Sequence, residues 1–426
     1  MDNTTALYMT QTQIKRTILV LICLLSGVIN VNAANNRKTQ ILFEVDLGAL
    51  VRMMSNNPND SQLNHTLMLT NTQRALSKKD YLELFETIYH TNYPKRNLSY
   101  LFVRKNEYDI KINSTNKVVI NSLKKEADRA VMETATRMSF RLNAAGINNA
   151  DIKMNANKGI IKITLDSVAD SSRLVHYLST KGELGIYEVY NNEDLINNLF
   201  LLNDSLAKQP AYKSLKVVPP PFTTPETEQF LSNNPLFTIL FPSIDDSNQL
   251  LPGPVIGRAL FSEKNRLISY FNTPAAHKIL PENTRIVNRH RSSDKDTILV
   301  VYVIKIPKGE TASVSNNDII DAWSEKNIMN PNEYTVTLKM NQPGTKNWSA
   351  MTDANKGRYI AVLYDEEVYS CPKVLDGIHS GMTQIAAHFT QQQAEEIAHI
   401  LKIGQLPLPV QIMSKQCHFE VNEAIR

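Results

Sequence analysis

Between Lys117 and Tyr190 the apolar residues change their spacing in a set order, and that order constrains the fold more than any other stretch of the chain. Val118-Val119-Ile120 reads as a short strand. Leu123, Ala127, Ala130, Val131, Thr134, Met138 and Leu142 then recur at helical spacing up to a stop at Gly146. Ile152 to Met154 and Ile160 to Leu165 alternate as strands around the turn Asn155 to Gly159, Val168 to Leu178 is helical, and Leu184 to Tyr190 closes the series. A βαββαβ order builds a sheet whose apolar face is covered by two helices, so residues 117–192 are expected to form a ferredoxin-like base.

Around that base the chain divides into further parts. Residues 34–116 form an N-terminal extension, with a strand sliding into a helix over Ile41 to Leu50, an Asn-rich loop from Ser55 to Asn64, and an amphipathic helix from Ser77 to His90 with Ser77 as its cap. Residues 193–249 form a linker region, stiffened by Pro219-Pro220-Pro221 and polar from Thr223 to Asn234. A second α+β subdomain follows over 250–413. Its expected elements are a helix at Leu267 to Asn272, a strand at Ile298 to Ile306, a strand at Tyr334 to Met340 and a helix at Thr345 to Ala354. A hairpin at Tyr359 to Ser370 and a helix at Gln391 to Ile403 complete it. Residues 414–426 read as a polar tail. The fold class expected is therefore α+β, a base plus a head.

The compartment is read from the N-terminus. Lys15-Arg16 precede an apolar run from Ile18 to Val31 and the small-residue site Val31-Asn32-Ala33, the layout of a secretory signal peptide over residues 1–33. An uncleaved anchor is the alternative, and Met9 offers a second start. The run is shorter than the roughly 20 residues that span a bilayer, and no later window approaches a spanning helix. A periplasmic protein is expected, touching the membrane only if the N-terminal segment is retained. Cys371 and Cys417 outlast cleavage and either pair or stay apart, Cys371 buried and Cys417 exposed.

Few patterns point to chemistry. The 46 basic and 42 acidic residues are interleaved, which argues against a nucleic-acid partner. No G-x-x-x-x-G-K-[ST] is present, so no nucleotide is expected. In Gly377-Ile378-His379-Ser380-Gly381 the serine stands one place late for a nucleophile elbow. His379, His388, His399 and His418 lack the spacing of a metal site. Asp365-Glu366-Glu367 marks a hairpin turn, and Asp318 and Asp321 read as acids at a helix start. The chain reads as a non-enzyme without cofactor.

The segment from Gly344 to Met413 adds a family likeness. Trp348, Thr352, Asn355 and Gly357 are followed by Ile360 to Asp365, Val368 to Pro372, Phe389-Thr390, Glu395 to Ala398 and Leu401 to Pro409. That order resembles the first periplasmic domain of the SecD protein-export family, the SecD half of SecDF. Arg141-Leu142-Asn143, Gly146-Ile147, Ile160 to Ile163 and Leu184 to Tyr190 follow the same pattern. The extension from Ile41 to Phe102 and Asn234 to Phe237 resemble the Bacteroidota version. In that family a transmembrane bundle follows the element seen here as Gly404 to Pro409, so a stand-alone domain without the bundle is expected. Two family glycines are replaced within Ile378 to Gly381 and Ile385 to Thr390, and Asn35 to Gln40 stands in place of a glycine-rich element.

The resemblance implies a non-catalytic accessory of Sec-dependent export whose partners are unfolded preprotein or translocon components. An emerging chain offers apolar side chains and unpaired backbone, so its receptor needs an apolar groove or a sheet edge. Leu236, Phe237, Phe241 and Phe271 are the candidate preprotein contacts. The alternative is an envelope interaction protein that keeps the fold without serving export.

Overall fold

The structure, a computed structural model, describes residues 37–419 apart from 78, 104–109, 167–169, 210–228, 230–232, 248, 292, 294 and 309–310. The signal segment, Pro219-Pro220-Pro221 and most of the polar stretch after it lie outside the described residues. Of the described residues, those up to Lys181 together with those from Leu406 onward form one compact unit, and those from Gly182 to Gln405 form a second.

The first unit holds a four-stranded sheet of β1 (Arg37–Val45), β2 (Asp151–Asn155), β3 (Ile160–Asp166) and the chain's last strand, β15 (Val410–Phe419). Its spatial order is β15-β1-β3-β2, with every neighbouring pair antiparallel. Ile41, Phe43 and Val45 of β1 and Ile161, Ile163 and Leu165 of β3 point to the buried face, and the residues between them stay partly exposed. This two-residue alternation is that of a sheet covered on one side.

Among the described residues this unit holds five α-helices: α1 (Leu47–Met54), α2 (Ser61–Gln73), α3 (Tyr81–Asn92), α4 (Asn116–Ala144) and α5 (Ser171–Ser179). The long α4 packs on β2 and β3, and α5 packs on β1 and β15. The apolar stripe of α4 runs through Val119, Leu123, Ala127, Val131, Met138 and Leu142, all buried. Each large aliphatic side chain withdrawn from water here contributes about 2 kcal/mol.

Arg141, at the end of that stripe, is also fully buried. Its Nη1 donates to the carbonyls of Tyr177 (3.2 Å), Leu178 (3.2 Å) and Thr180 (2.5 Å), and its Nη2 to that of Lys181 (3.3 Å). The first three are orphan carbonyls at the C-terminal end of α5, where a cation also complements the helix dipole.

Several expectations are corrected in this unit. Val118-Val119-Ile120 is not a strand but the first turn of α4. The Thr115 side chain accepts the Val118 N–H as N-cap, and Val119 and Ile120 simply extend the stripe at helical spacing. Leu184 to Tyr190 does not close the sheet of residues 117–192. The βαββαβ series is completed instead by β1 at the start and β15 at the end, in the order 4-1-3-2. Residues 414–419 accordingly continue a paired strand where a polar tail was expected. The helix read from Ser77 begins at Tyr81, and the loop read as Ser55 to Asn64 ends at Asp60. The Asp60 carboxylate caps α2 by accepting the N–H groups of Gln62 and Leu63.

The second unit is built on an eight-stranded sheet. Its strands are β4 (Leu184–Glu188), β5 (Phe241–Pro242), β6 (Val255–Leu260), β7 (Thr284–Arg289), β8 (Ile298–Lys305), β9 (Val314–Ser315), β12 (Ile360–Tyr364) and β13 (Glu367–Ser370). The spatial order is β5-β6-β8-β7-β13-β12-β4-β9, antiparallel throughout except where β7 meets β13. Helices α6 (Asn192–Ala207), α7 (Lys264–Phe271) and α8 (Ala276–Ile279) supply residues to a core with β6 and β8.

A smaller sheet, β10-β11-β14, is formed by β10 (Ile319–Lys326), β11 (Tyr334–Met340) and β14 (Met382–Phe389). Helix α10 (Gln391–Ile403) packs across it, while α9 (Gln342–Ala354) contacts β9 and β11. The strands at Ile298 and Tyr334, the helices at Thr345 and Gln391 and the hairpin at Tyr359 fall where the periodicity placed them. Asp318 and Asp321 do not start a helix of any length. Asp318 closes a capping box on one short turn, and Asp321 sits in β10 paired with Lys402 at 2.9 Å. Among the described residues no helix is long and apolar enough to cross a membrane.

Candidate functional site: a strand edge and its apolar floor

The four nominated side chains separate by burial. Leu236 is fully buried and Phe271 nearly so, both in the core that includes Leu199, Leu240, Ile256 and Tyr270. Phe237 is half-buried against the same core, with its ring 5.1 Å from that of Phe200 in an edge-to-face arrangement. Phe241, in edge strand β5, is 55% exposed, and Phe200 is 53% exposed. The backbone alternation of the segment explains the split. Asn234 to Leu240 coils into turns that drive Leu236, Ile239 and Leu240 inward, after which the chain straightens and turns Phe241 out.

Sequence reasoning missed a concavity of about 460 Å³ beside β7. Thr284 to Asn288 form one wall, Ile268 and Phe271 of α7 with Ala276 and Leu280 form an apolar floor, and Asp365 to Glu367 stand at one end. Phe271 is the one nominated residue that lines it. The sequence signal for such a site is weak, because β7 reads Thr-Arg-Ile-Val-Asn-Arg, polar at both ends and short.

The end wall is an acidic hairpin tip. Asp365 and Glu366 adopt φ of 48° and 67°, the left-handed pair of a tight two-residue turn, as expected of a hairpin at this point. The Asp365 carboxylate accepts the Glu183 N–H at 2.7 Å. Glu367 is bonded to His290 Nδ1 at 2.8 Å and accepts from Asn288 Nδ2 at 3.2 Å. Burial opposes its ionisation, but the His290 and Asn288 bonds outweigh that and hold its carboxyl below the usual range. The His290 ring stacks on Tyr369 with centroids 4.1 Å apart.

The remaining chemistry-bearing groups do not assemble. Ser380 Oγ donates to the Met382 carbonyl at 3.4 Å, while His379 turns to Asp353 at 3.7 Å. Gly381 adopts φ of 67° with the Thr345 side chain against it, a structural reason for glycine there. His388 pairs with Glu333 at 2.6 Å. Among the described residues no three His, Cys, Asp or Glu side chains gather as metal ligands would. Cys371 is a free thiol whose burial pushes its pKa up to about 12, and the side chain of Cys417 lies outside the described residues.

Residues 292–408 match the family described as the SecDF P1 head subdomain. The Rhodothermus marinus protein translocase subunit SecD is 24% identical over 388 residues, which is 88% of this chain and 60% of that protein. SecD of Calditerrivibrio nitroreducens is 31% identical over 124 residues, 29% of this chain and 24% of that protein. The chain thus spans at most about 60% of the length of these curated relatives. A solved SecDF, described as a membrane component that enhances protein export, is 18% identical. It overlaps 67% of this chain and 92% of its own with a TM-score of 0.34. Residues 292–408 are thus similar to the SecDF P1 head subdomain, and the proteins the chain resembles over its greater length are SecD translocase subunits.

Proposed function

We propose that this chain is a non-catalytic accessory of Sec-dependent protein export, acting on the periplasmic side and binding unfolded preprotein or translocon components. The match of residues 292–408 to the SecDF P1 head carries the reading. The relation to SecD over 88% of the chain supports it, since it extends beyond the head to the βαββαβ unit, the ferredoxin-like base of this reading. Of the four candidate contacts, exposure favours Phe241 and the half-buried Phe237 as the residues that touch preprotein. Leu236 supports them from the core, and Phe271 lines the concavity beside β7.

The test is photocrosslinking of the full chain to an arrested secretory polypeptide in envelope preparations. A photoreactive residue at Phe241 or Phe237 is expected to capture the arrested chain well above one placed at the exposed, distant-in-sequence Met132. Equal capture at all three positions would remove the export reading.

A further inference from the structure

The eight-stranded sheet is interrupted beside β7. On one side β7 pairs with β8 over Thr284↔Lys305 to Asn288↔Val301. On the other it meets β13 only at Asn288 and Arg289. The acidic turn at Asp365-Glu366 causes the gap, because it ends the β12–β13 hairpin and lets β13 begin no earlier than Glu367.

The register says which backbone groups face that gap. The Ile306 N–H donates to the Asn283 carbonyl at 2.6 Å, so 283, 285 and 287 turn their amides toward β8. Thr284, Ile286 and Asn288 therefore turn theirs the other way. The His290 N–H, of the same parity, indeed donates to the Val368 carbonyl at 2.9 Å. The N–H and C=O of Thr284 and Ile286 thus open into the 460 Å³ concavity, over the floor of Ile268, Phe271 and Leu280.

We infer that this gap is a strand-addition site, in which an extended segment of unfolded polypeptide continues the line of β13 along β7 and seats an apolar side chain on that floor. The inference rests on the proposed function and adds the mode of recognition. The occupant's chemistry follows from the walls. Main-chain pairing at Thr284 and Ile286 reads no sequence, which suits a receptor for many chains. Four carboxylates, Glu282, Asp365, Glu366 and Glu367, line the gap against the two cations Lys264 and Arg285, an acidic excess that favours a segment with Lys or Arg next to its apolar residue.

The test uses the full chain and two synthetic heptapeptides of sequence Lys-Val-Ser-Val-Ser-Val-Lys, whose apolar residues share one face so that a one-residue slip takes them off the floor, each N-methylated on alternate amides of opposite parity. Strand addition predicts that one parity binds at least tenfold more tightly than the other, because only one set of amides faces β7. It also predicts fast hydrogen exchange of the Ile286 amide in the free protein and at least tenfold slowing with the tighter peptide. Equal affinity for both parities, no binding of either, or an Ile286 amide already protected in the free protein would overturn the strand-addition site. Those outcomes leave the export reading to the crosslinks from Phe241, so the two fail separately.

Discussion

The two compact units solve the same problem, covering a sheet with helices, from opposite arrangements of the chain. Unit 2 is continuous from Gly182 to Gln405, whereas the sheet of unit 1 takes its outer partner from the far end, Val45 facing Val410. A pairing so remote in sequence is entropically slow to find. It becomes local once unit 2 folds, because the ends of that insert meet where the Leu406 N–H donates to the Lys181 carbonyl at 2.8 Å. The difference teaches that unit 1 depends on the far end of the chain for its fold, and that unit 2 carries its own.

The most severe way to break this comparison is to end the chain after Pro409. Strand β1 then loses its partner along its whole length, and Leu406 and Leu408, both buried, lose the strand that anchors them. Unit 1 is expected to lose its cooperative transition, a loss of more than about 5 kcal/mol, while the amides of unit 2 keep their protection. Hydrogen exchange read by mass spectrometry separates the two units, and simultaneous loss of both would show that the insert is not autonomous.

The same contrast explains what was legible in the sequence. From Ile161 to Asp166 apolar and polar residues alternate, and the expected strand over Ile160 to Leu165 is β3. Leu184 to Tyr187 is buried at every position, which suits the middle of a sheet covered on both faces and not the one-sided sheet of unit 1. Its place directly after α5 made it look like the closing strand, yet its composition already argued otherwise. Strand β15 is largely exposed, as an edge is, and its polar Ser414 to Gln416 resemble a tail until a partner is known. Element type was therefore readable from periodicity, while pairing across the insert was not. The strand gap beside β7 was hidden for the same reason, since it arises from where β13 stops and not from any residue pattern in β7.

A second prediction sharpens the comparison within unit 1. Arg141→Met keeps the bulk and apolar stem but leaves the carbonyls of Tyr177, Leu178, Thr180 and Lys181 without their buried cationic donor. A loss of about 4 kcal/mol is expected, confined to unit 1 because the carbonyls all lie there. Urea titration of the full chain should split into two transitions, with only the unit 1 midpoint displaced. A single shifted transition would mean that the units unfold together.

The counterpart in unit 2 divides the candidate contacts by role. Leu236→Ala removes a fully buried side chain and should lower unit 2 stability by about 3 kcal/mol. Phe241→Ser, at an exposed edge position, should change it by less than about 0.5 kcal/mol while reducing preprotein crosslinking. A large stability loss from Phe241→Ser would return Phe241 to the core and leave the proposed contact surface without its most exposed member.

The smallest expected effect concerns pH, again in unit 2. Glu367 has a folded-state pKa held below its usual 4.5 by His290 and Asn288. The unfolded chain therefore binds its proton more readily, and stability must fall with pH in that range. The contribution is complete above about pH 4.5, as in the unfolded chain, and fades as pH drops through the lower folded value. Its size is about 1 kcal/mol, the scale of hydrogen bonds to an ionised carboxylate after solvent screening. Glu367→Gln keeps the shape of the side chain and removes the titration, so the acid slope of the unit 2 transition should flatten while that of unit 1 is unchanged. An unaltered slope in unit 2 would place the acid sensitivity elsewhere, and would also weaken the case that an ionised Glu367 recruits a basic residue to the gap beside β7.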